Sequence, residues 1–177
     1  SLKIIAALCA ALCVGACATG PAPAQTSPTI GRLYTYVRSN QDGTRPENVY
    51  VYRAGAAQLE VGKMVSRCTN AAFVTAELDL ARRQPLSLVG GRLARDGTQT
   101  PFAWLTYDRT AHRLHAQVPS ADIDRYVSLD GEPWTIYDFD LADITGLNAG
   151  HAPAPGDFDL AVALIWPAQG VRDPFRN

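Results

Sequence analysis

The sequence predicts a mainly β protein, an antiparallel meander that forms a curled sheet or open barrel with one α-helix in the C-terminal third. Three observations carry that prediction. Apolar and polar side chains alternate with a period of two through most of the chain, turn signals interrupt the alternation at regular intervals, and helical spacing shows in one short stretch near the end. A two-sheet β-sandwich would show the same strand count and alternation and is the alternative architecture.

The strands follow in order. Leu33, Tyr34, Thr35, Tyr36 and Val37 alternate, as do Val49, Tyr50, Val51 and Tyr52. Leu59, Val61 and Val65 continue the pattern, with Lys63 between them. Ala72, Val74, Ala76, Leu78 and Leu80 form the next stripe, although the Ala, Glu and Leu content of residues 70–83 would also suit a helix. Leu86 and Leu88 follow, then Phe102, Trp104 and Thr106, then Leu114, Ala116 and Val118. Turn signals separate them: residues 40–46 with Asp42-Gly43, the pair Ala54-Gly55, residues 82–85, Asp96-Gly97 and residues 108–111.

The C-terminal third changes character. Asp140 with Asp143 three positions on makes a variant of the capping box, and Phe139 and Ile144 are placed to staple it. Leu141, Ile144 and Leu147 recur at helical spacing and Gly150 suits the residue after the last turn, which predicts a helix over 141–149. A Pro/Gly loop over 151–156 leads into the apolar run 158–166, expected to be a strand covered on both sides, and the tail after Pro167 should fray.

Composition narrows the class. With 16 Lys+Arg against 17 Asp+Glu the charge is nearly balanced, and no basic run or stripe is present, so nucleic-acid binding has no footprint. A hydrophobic fraction of 47% argues for a packed globule.

The first residues carry the most specific signal. Lys3 precedes an apolar run over 4–14, too short to span a membrane, and Val14-Gly15-Ala16 leads into Cys17. This arrangement resembles the signal of a bacterial lipoprotein. The resemblance covers only the first 17 residues and implies cleavage before Cys17, a diacylglycerol on its thiol and an anchor in the membrane. Ala18, rather than Asp, after the cysteine implies the outer membrane by the same resemblance. Ordinary secretion to the periplasm is the rival, because Ala16-Cys17-Ala18 also has the small-x-small form of a cleavage site. The expected organisation is a signal peptide over 1–16, the acylated cysteine and a Pro-rich tether over 17–29, and one β-rich domain over 30–177. The uncharged tether could reach roughly 35 Å at about 3.1 Å per residue.

Chemistry is less legible. No catalytic motif of the serine hydrolase, zinc protease, dithiol, P-loop or dinucleotide-binding kinds is present, so no catalytic residue, metal site or cofactor is assigned. Cys68 is the lone thiol left after processing, and its neighbours Met64, Val65 and Phe73 favour burial. His112 and His115 stand at an odd separation, which on a strand turns them to opposite faces. Asp138, Asp140, Asp143, Asp157 and Asp159 are hard oxygen donors of the kind calcium uses, but capping accounts for Asp140 and Asp143. The remaining constellation is aromatic: Tyr34, Tyr36, Tyr50 and Tyr52 could share one face of two paired strands and line a surface for a lipid, glycan or peptide. Plain sheet packing is the competing account. The function expected is therefore a non-enzymatic envelope lipoprotein binding an apolar or amphipathic ligand. A scaffold subunit holding an envelope protein partner comes second, and a hydrolase using Cys68 or a histidine third.

Overall fold

The computed structural model describes residues 30–64, 71–137, 139, 161–165 and 175–176. Eight strands, β1 (Leu33–Arg38), β2 (Glu47–Arg53), β3 (Gln58–Met64), β4 (Ala72–Asp79), β5 (Gln84–Leu93), β6 (Gln99–Asp108), β7 (Arg113–Val118) and β8 (Ile123–Ser128), form one antiparallel sheet in sequence order. The sheet is open, with β1 and β8 at its two edges.

The turns explain why each strand reverses into the next. In the β1–β2 connection Asp42 Oδ1 accepts hydrogen bonds from the Thr44 amide and hydroxyl at 3.0 and 2.6 Å. The same Asp-Gly-Thr sequence closes β5–β6, where Asp96 Oδ1 holds the Thr98 amide and hydroxyl at 3.0 and 2.7 Å. Gly43 and Gly97 supply the positive φ, +77° and +85°, that these turns require. Asp108 caps the amides of Thr110 and Ala111 in the β6–β7 turn. Hydrogen bonds that favour the ionised form hold all three of these carboxyls below their usual range: from the Thr44 hydroxyl and amide to Asp42, from those of Thr98 to Asp96, and from the Ala111 amide first for Asp108.

Alternation sorts the side chains onto two faces. On the inner face, registered rows run across the sheet, Leu59 opposite Ala76, then Leu88, Leu105 and Ala116. These residues, with Val51, Val61 and Leu114, are buried in the core. A second sheet covers them: β9 (Trp134–Ile136), β10 (Ala161–Ile165) and β11 (Phe175–Arg176), with β9 and β10 parallel and β10 and β11 antiparallel. Trp134, Ile136 and Ala163 bring that sheet into the same core. Phe139 lies over Gly90, where any β-carbon would overlap its ring.

Residues 72–79 form the predicted strand rather than the helix their composition would also suit, because β5 pairs with all of them and β3 with residues 72–77. Other expectations change. The stripe Phe102, Trp104 and Thr106 faces solvent, while Ala103, Leu105 and Tyr107 take the core. A register shift between Gly90 and Gly91 accompanies this, with Gly91 opposite Pro101 and Gly90 opposite Ala103. The strand expected over 158–166 is present as β10 but is not covered on both sides, since Val162 is 48% exposed. The tail expected to fray contributes β11. The helix expected over 141–149 lies outside the described residues, and among the described residues the sole helical turn is the 3-10 segment Pro119–Ala121.

Candidate functional site

The four tyrosines do not share a face. In the β1–β2 pairing Tyr34 stands opposite Val51 and Tyr36 opposite Val49, whereas Tyr50 stands opposite Thr35 and Tyr52 opposite Leu33. Partners across a ladder point the same way. Tyr34 and Tyr36 therefore belong to the inner face, where Tyr34 packs against the core, and Tyr50 and Tyr52 belong to the outer face. The cause is the connection: the register pairs even-numbered positions of β1 with odd-numbered positions of β2, which splits two sets of even-numbered tyrosines. Desolvation, then the neighbouring Tyr34, raises the Tyr36 hydroxyl above its ordinary pKa.

Tyr52 instead joins a row across the outer face. The registers place Leu33, Tyr52, Glu60, Thr75, Val89, Trp104, Gln117 and Asp124 side by side on eight successive strands. Over β3, β4 and β5 lies a shallow groove of about 250 Å³, lined by Gln58, Glu60, Thr75, Glu77 and Ser87 with Ala54, Leu59, Ala76 and Val89. Tyr52 on β2 and Trp104 on β6 are the row neighbours of its Glu60 and Val89. Four strand spacings of about 4.8 Å put the two aromatic residues about 19 Å apart. Tyr52 and Trp104 are each 37% exposed. Large aromatic rings left open beside hydroxyl, amide and carboxylate groups give a surface that can hold a ring or chain by contact and orient it by hydrogen bonds.

Past Trp104 the outer face carries a stacked unit. The His115 ring lies on Tyr126 at 4.3 Å and 14°, and the Arg113 guanidinium sits 4.2 Å from the same ring. Asp124 bonds His115 Nε2 at 2.7 Å and accepts from Gln117 at 3.0 Å. The hydrogen bond with His115, followed by that from Gln117, holds the Asp124 carboxyl below its usual range. His115 is thus committed on this face, while His112 lies in the β6–β7 turn at φ +48°, and the two do not converge.

A second polar group closes one end of the inner face. Asp79, 7% exposed, caps the Ala81 and Arg82 amides and takes ion pairs from Arg82 Nη1 at 3.2 Å and Arg109 Nη2 at 2.7 Å. Burial raises its pKa, but the Arg82 hydrogen bonds and the charges of Arg109 and Arg82 outweigh this, so the carboxyl ends below its ordinary range. Tyr107 packs on Trp134 and donates to Glu132, with His112 Nδ1 and Arg82 Nε at 3.5 and 3.6 Å from the same carboxylate. Desolvation, with Glu132 adding to it, pushes the Tyr107 hydroxyl well above its usual value. The Tyr107 hydrogen bond in turn holds Glu132 below its own. A tyrosine that resists ionisation and a carboxylate that resists protonation suit a structural lock better than proton transfer. The fully buried Gln84 amide lies toward Glu132 without a hydrogen bond of ordinary geometry, and the Trp134 indole N–H is likewise unpartnered among the described residues.

Sequence reasoning did not single out Glu60, Glu77 or the His115–Asp124–Gln117 unit, because ladder registers bring them together. A usable signal was Trp104 itself, a large aromatic alternating with Ala103 and Leu105, which compete for the same core. Cys17, Cys68 and Asp138, Asp140, Asp143, Asp157 and Asp159 lie outside the described residues. Among the described residues no group of three or more His, Cys, Asp or Glu could hold a metal ion, and no helix is long and apolar enough to cross a membrane. No family model, curated protein or solved structure matches the chain.

Proposed function

We propose that this chain is an acyl-anchored envelope lipoprotein whose β-sheet binds an amphipathic ligand on its outer face. The lipid anchor at Cys17 and the outer-membrane location rest on the signal-like segment over 1–17. The observation that carries the binding is the outer row, in which Tyr52 and Trp104, each 37% exposed, stand on the strands flanking a groove of mixed polar and apolar lining. On these two strands the neighbouring Val51, Ala103 and Leu105 go into the core, while the Tyr52 and Trp104 rings stay more than a third exposed. The ligand face retains Tyr50 and Tyr52 of the original four tyrosines and loses Tyr34 and Tyr36. In this reading the sheet is curled around β9, which leaves its outer side convex and open to a ligand.

The protein purified from its own membrane should carry an extractable amphipathic molecule visible by mass spectrometry. The double change Tyr52→Ser with Trp104→Ser should empty it while the circular dichroism spectrum stays the same. An empty wild type, or a variant with equal cargo, would overturn the reading. The scaffold alternative draws on β1, an edge strand with Leu33 and Val37 exposed, which a partner strand could extend.

A further inference from the structure

The floor of the outer groove holds two carboxylates. Glu60 stands opposite Thr75 and Glu77 opposite Gln58, so the two acids are diagonal neighbours on β3 and β4, with Cα atoms about 7–8 Å apart. No described residue forms an ion pair with either of them. Elsewhere this sheet handles its acids differently: Asp79 has two arginines, Glu47 has Arg38 and Lys63, and Asp108 has Arg113. Two like charges side by side in one groove leave a negative potential that a cation would relieve.

The groove is also polar at one end and apolar at the other. Tyr52 is the direct cross-strand neighbour of Glu60, so a cation at the carboxylate can also meet an aromatic ring. In the other direction the row passes through Thr75 to Val89 and Trp104. From Glu60 to Trp104 is three strand spacings, about 14 Å.

We propose that the groove takes an amphipathic ligand bearing an ammonium group, held by Glu60 and Glu77 against Tyr52, with its apolar body over Val89 toward Trp104. This rests on the outer face being the ligand surface and adds the sign of the ligand's charge and its direction of lie. The hydrogen-bonding residues Gln58, Thr75 and Ser87 line the same floor and suit an N–H or hydroxyl near the charge.

The test uses three probes of one shape: 4-phenylbutylamine, 4-phenylbutanol and 4-phenylbutyrate. They are titrated calorimetrically into the lipid-anchored protein in nanodiscs, with empty nanodiscs as the blank. The amine should bind at least tenfold more tightly than the carboxylate and lose strength as salt rises. Glu60→Gln with Glu77→Gln should weaken the amine at least tenfold and leave the alcohol unchanged. Glu77→Gln alone, at the more exposed position, should give part of that loss in a fold confirmed by circular dichroism. Equal binding of amine and alcohol, both lost in the Tyr52→Ser, Trp104→Ser variant, would overturn the ammonium proposal and leave the ligand face standing. Binding of none of the three would remove both.

Discussion

The two faces of the meander are built from the same strands and obey opposite rules. The inner face is mainly aliphatic: Val51, Leu88, Leu105 and Leu114 are at most 1% exposed, and one buried row runs from Leu59 on β3 through Ala76, Leu88 and Leu105 to Ala116 on β7. The outer face puts its large rings in the open and spaces them with Glu, Thr, Gln and Ser. Stability should therefore reside on one side and recognition on the other, and substitutions at neighbouring positions of a single strand should separate the two.

The largest effect should come from Leu105→Ala, which empties a site in the middle of the core. Unfolding in urea should show a loss of about 3–4 kcal/mol. A loss below about 1 kcal/mol would mean that the inner face is loosely packed. Next comes Asp79→Asn, which breaks the hold on Arg82 and Arg109. Those arginines are half exposed, so the loss at pH 7 should be about 2 kcal/mol rather than the larger figure of a fully buried pair. Because the folded pKa of Asp79 is depressed below its ordinary value of 3.8, its contribution is complete above that value and disappears as pH falls through the folded pKa. Wild type should therefore lose more stability than Asp79→Asn when urea melts are carried from pH 5 into the acid range, and parallel acid limbs would contradict this. The smallest effect on folding should come from Trp104→Ser, one residue before Leu105 and on the other face, at no more than about 1 kcal/mol. A loss as large as that of Leu105→Ala would place Trp104 in a packed layer and erase the contrast between the faces.

The fold was legible where local chemistry decided it. Turns at Asp42-Gly43 and Asp96-Gly97 read correctly because a carboxylate two residues before an amide, next to a glycine, specifies the reversal by itself. Strands β2, β4 and β7 read correctly because one of their two faces is plainly aliphatic. Strand β6 did not, since Phe102, Trp104 and Thr106 and the set Ala103, Leu105 and Tyr107 both look apolar, and a bulge beside Gly90 and Gly91 determines which turns inward. The tyrosine face failed for a related reason: alternation within each of two strands says nothing about the register between them. Strand β8 was missed because Asp124, Arg125 and Ser128 dilute its apolar signal, although Ile123 and Val127 do face the core. Glu60 and Glu77 are 17 residues apart in sequence, and one ladder makes them neighbours.

The strictly consecutive strand order has a kinetic meaning. Each pairing from β1 to β8 joins segments separated by a short connection, so hairpins can form one after another without closing a long loop. A chain emerging N-terminus first can add each strand to the edge just made. The parallel pairing of Trp134 with Ala161 is different, for it must wait for a much longer excursion of the chain. Until β9 and β10 dock, the core surface around Leu88 and Gly90 lacks its cover, and this late interval is when the protein is most exposed to aggregation and to proteases.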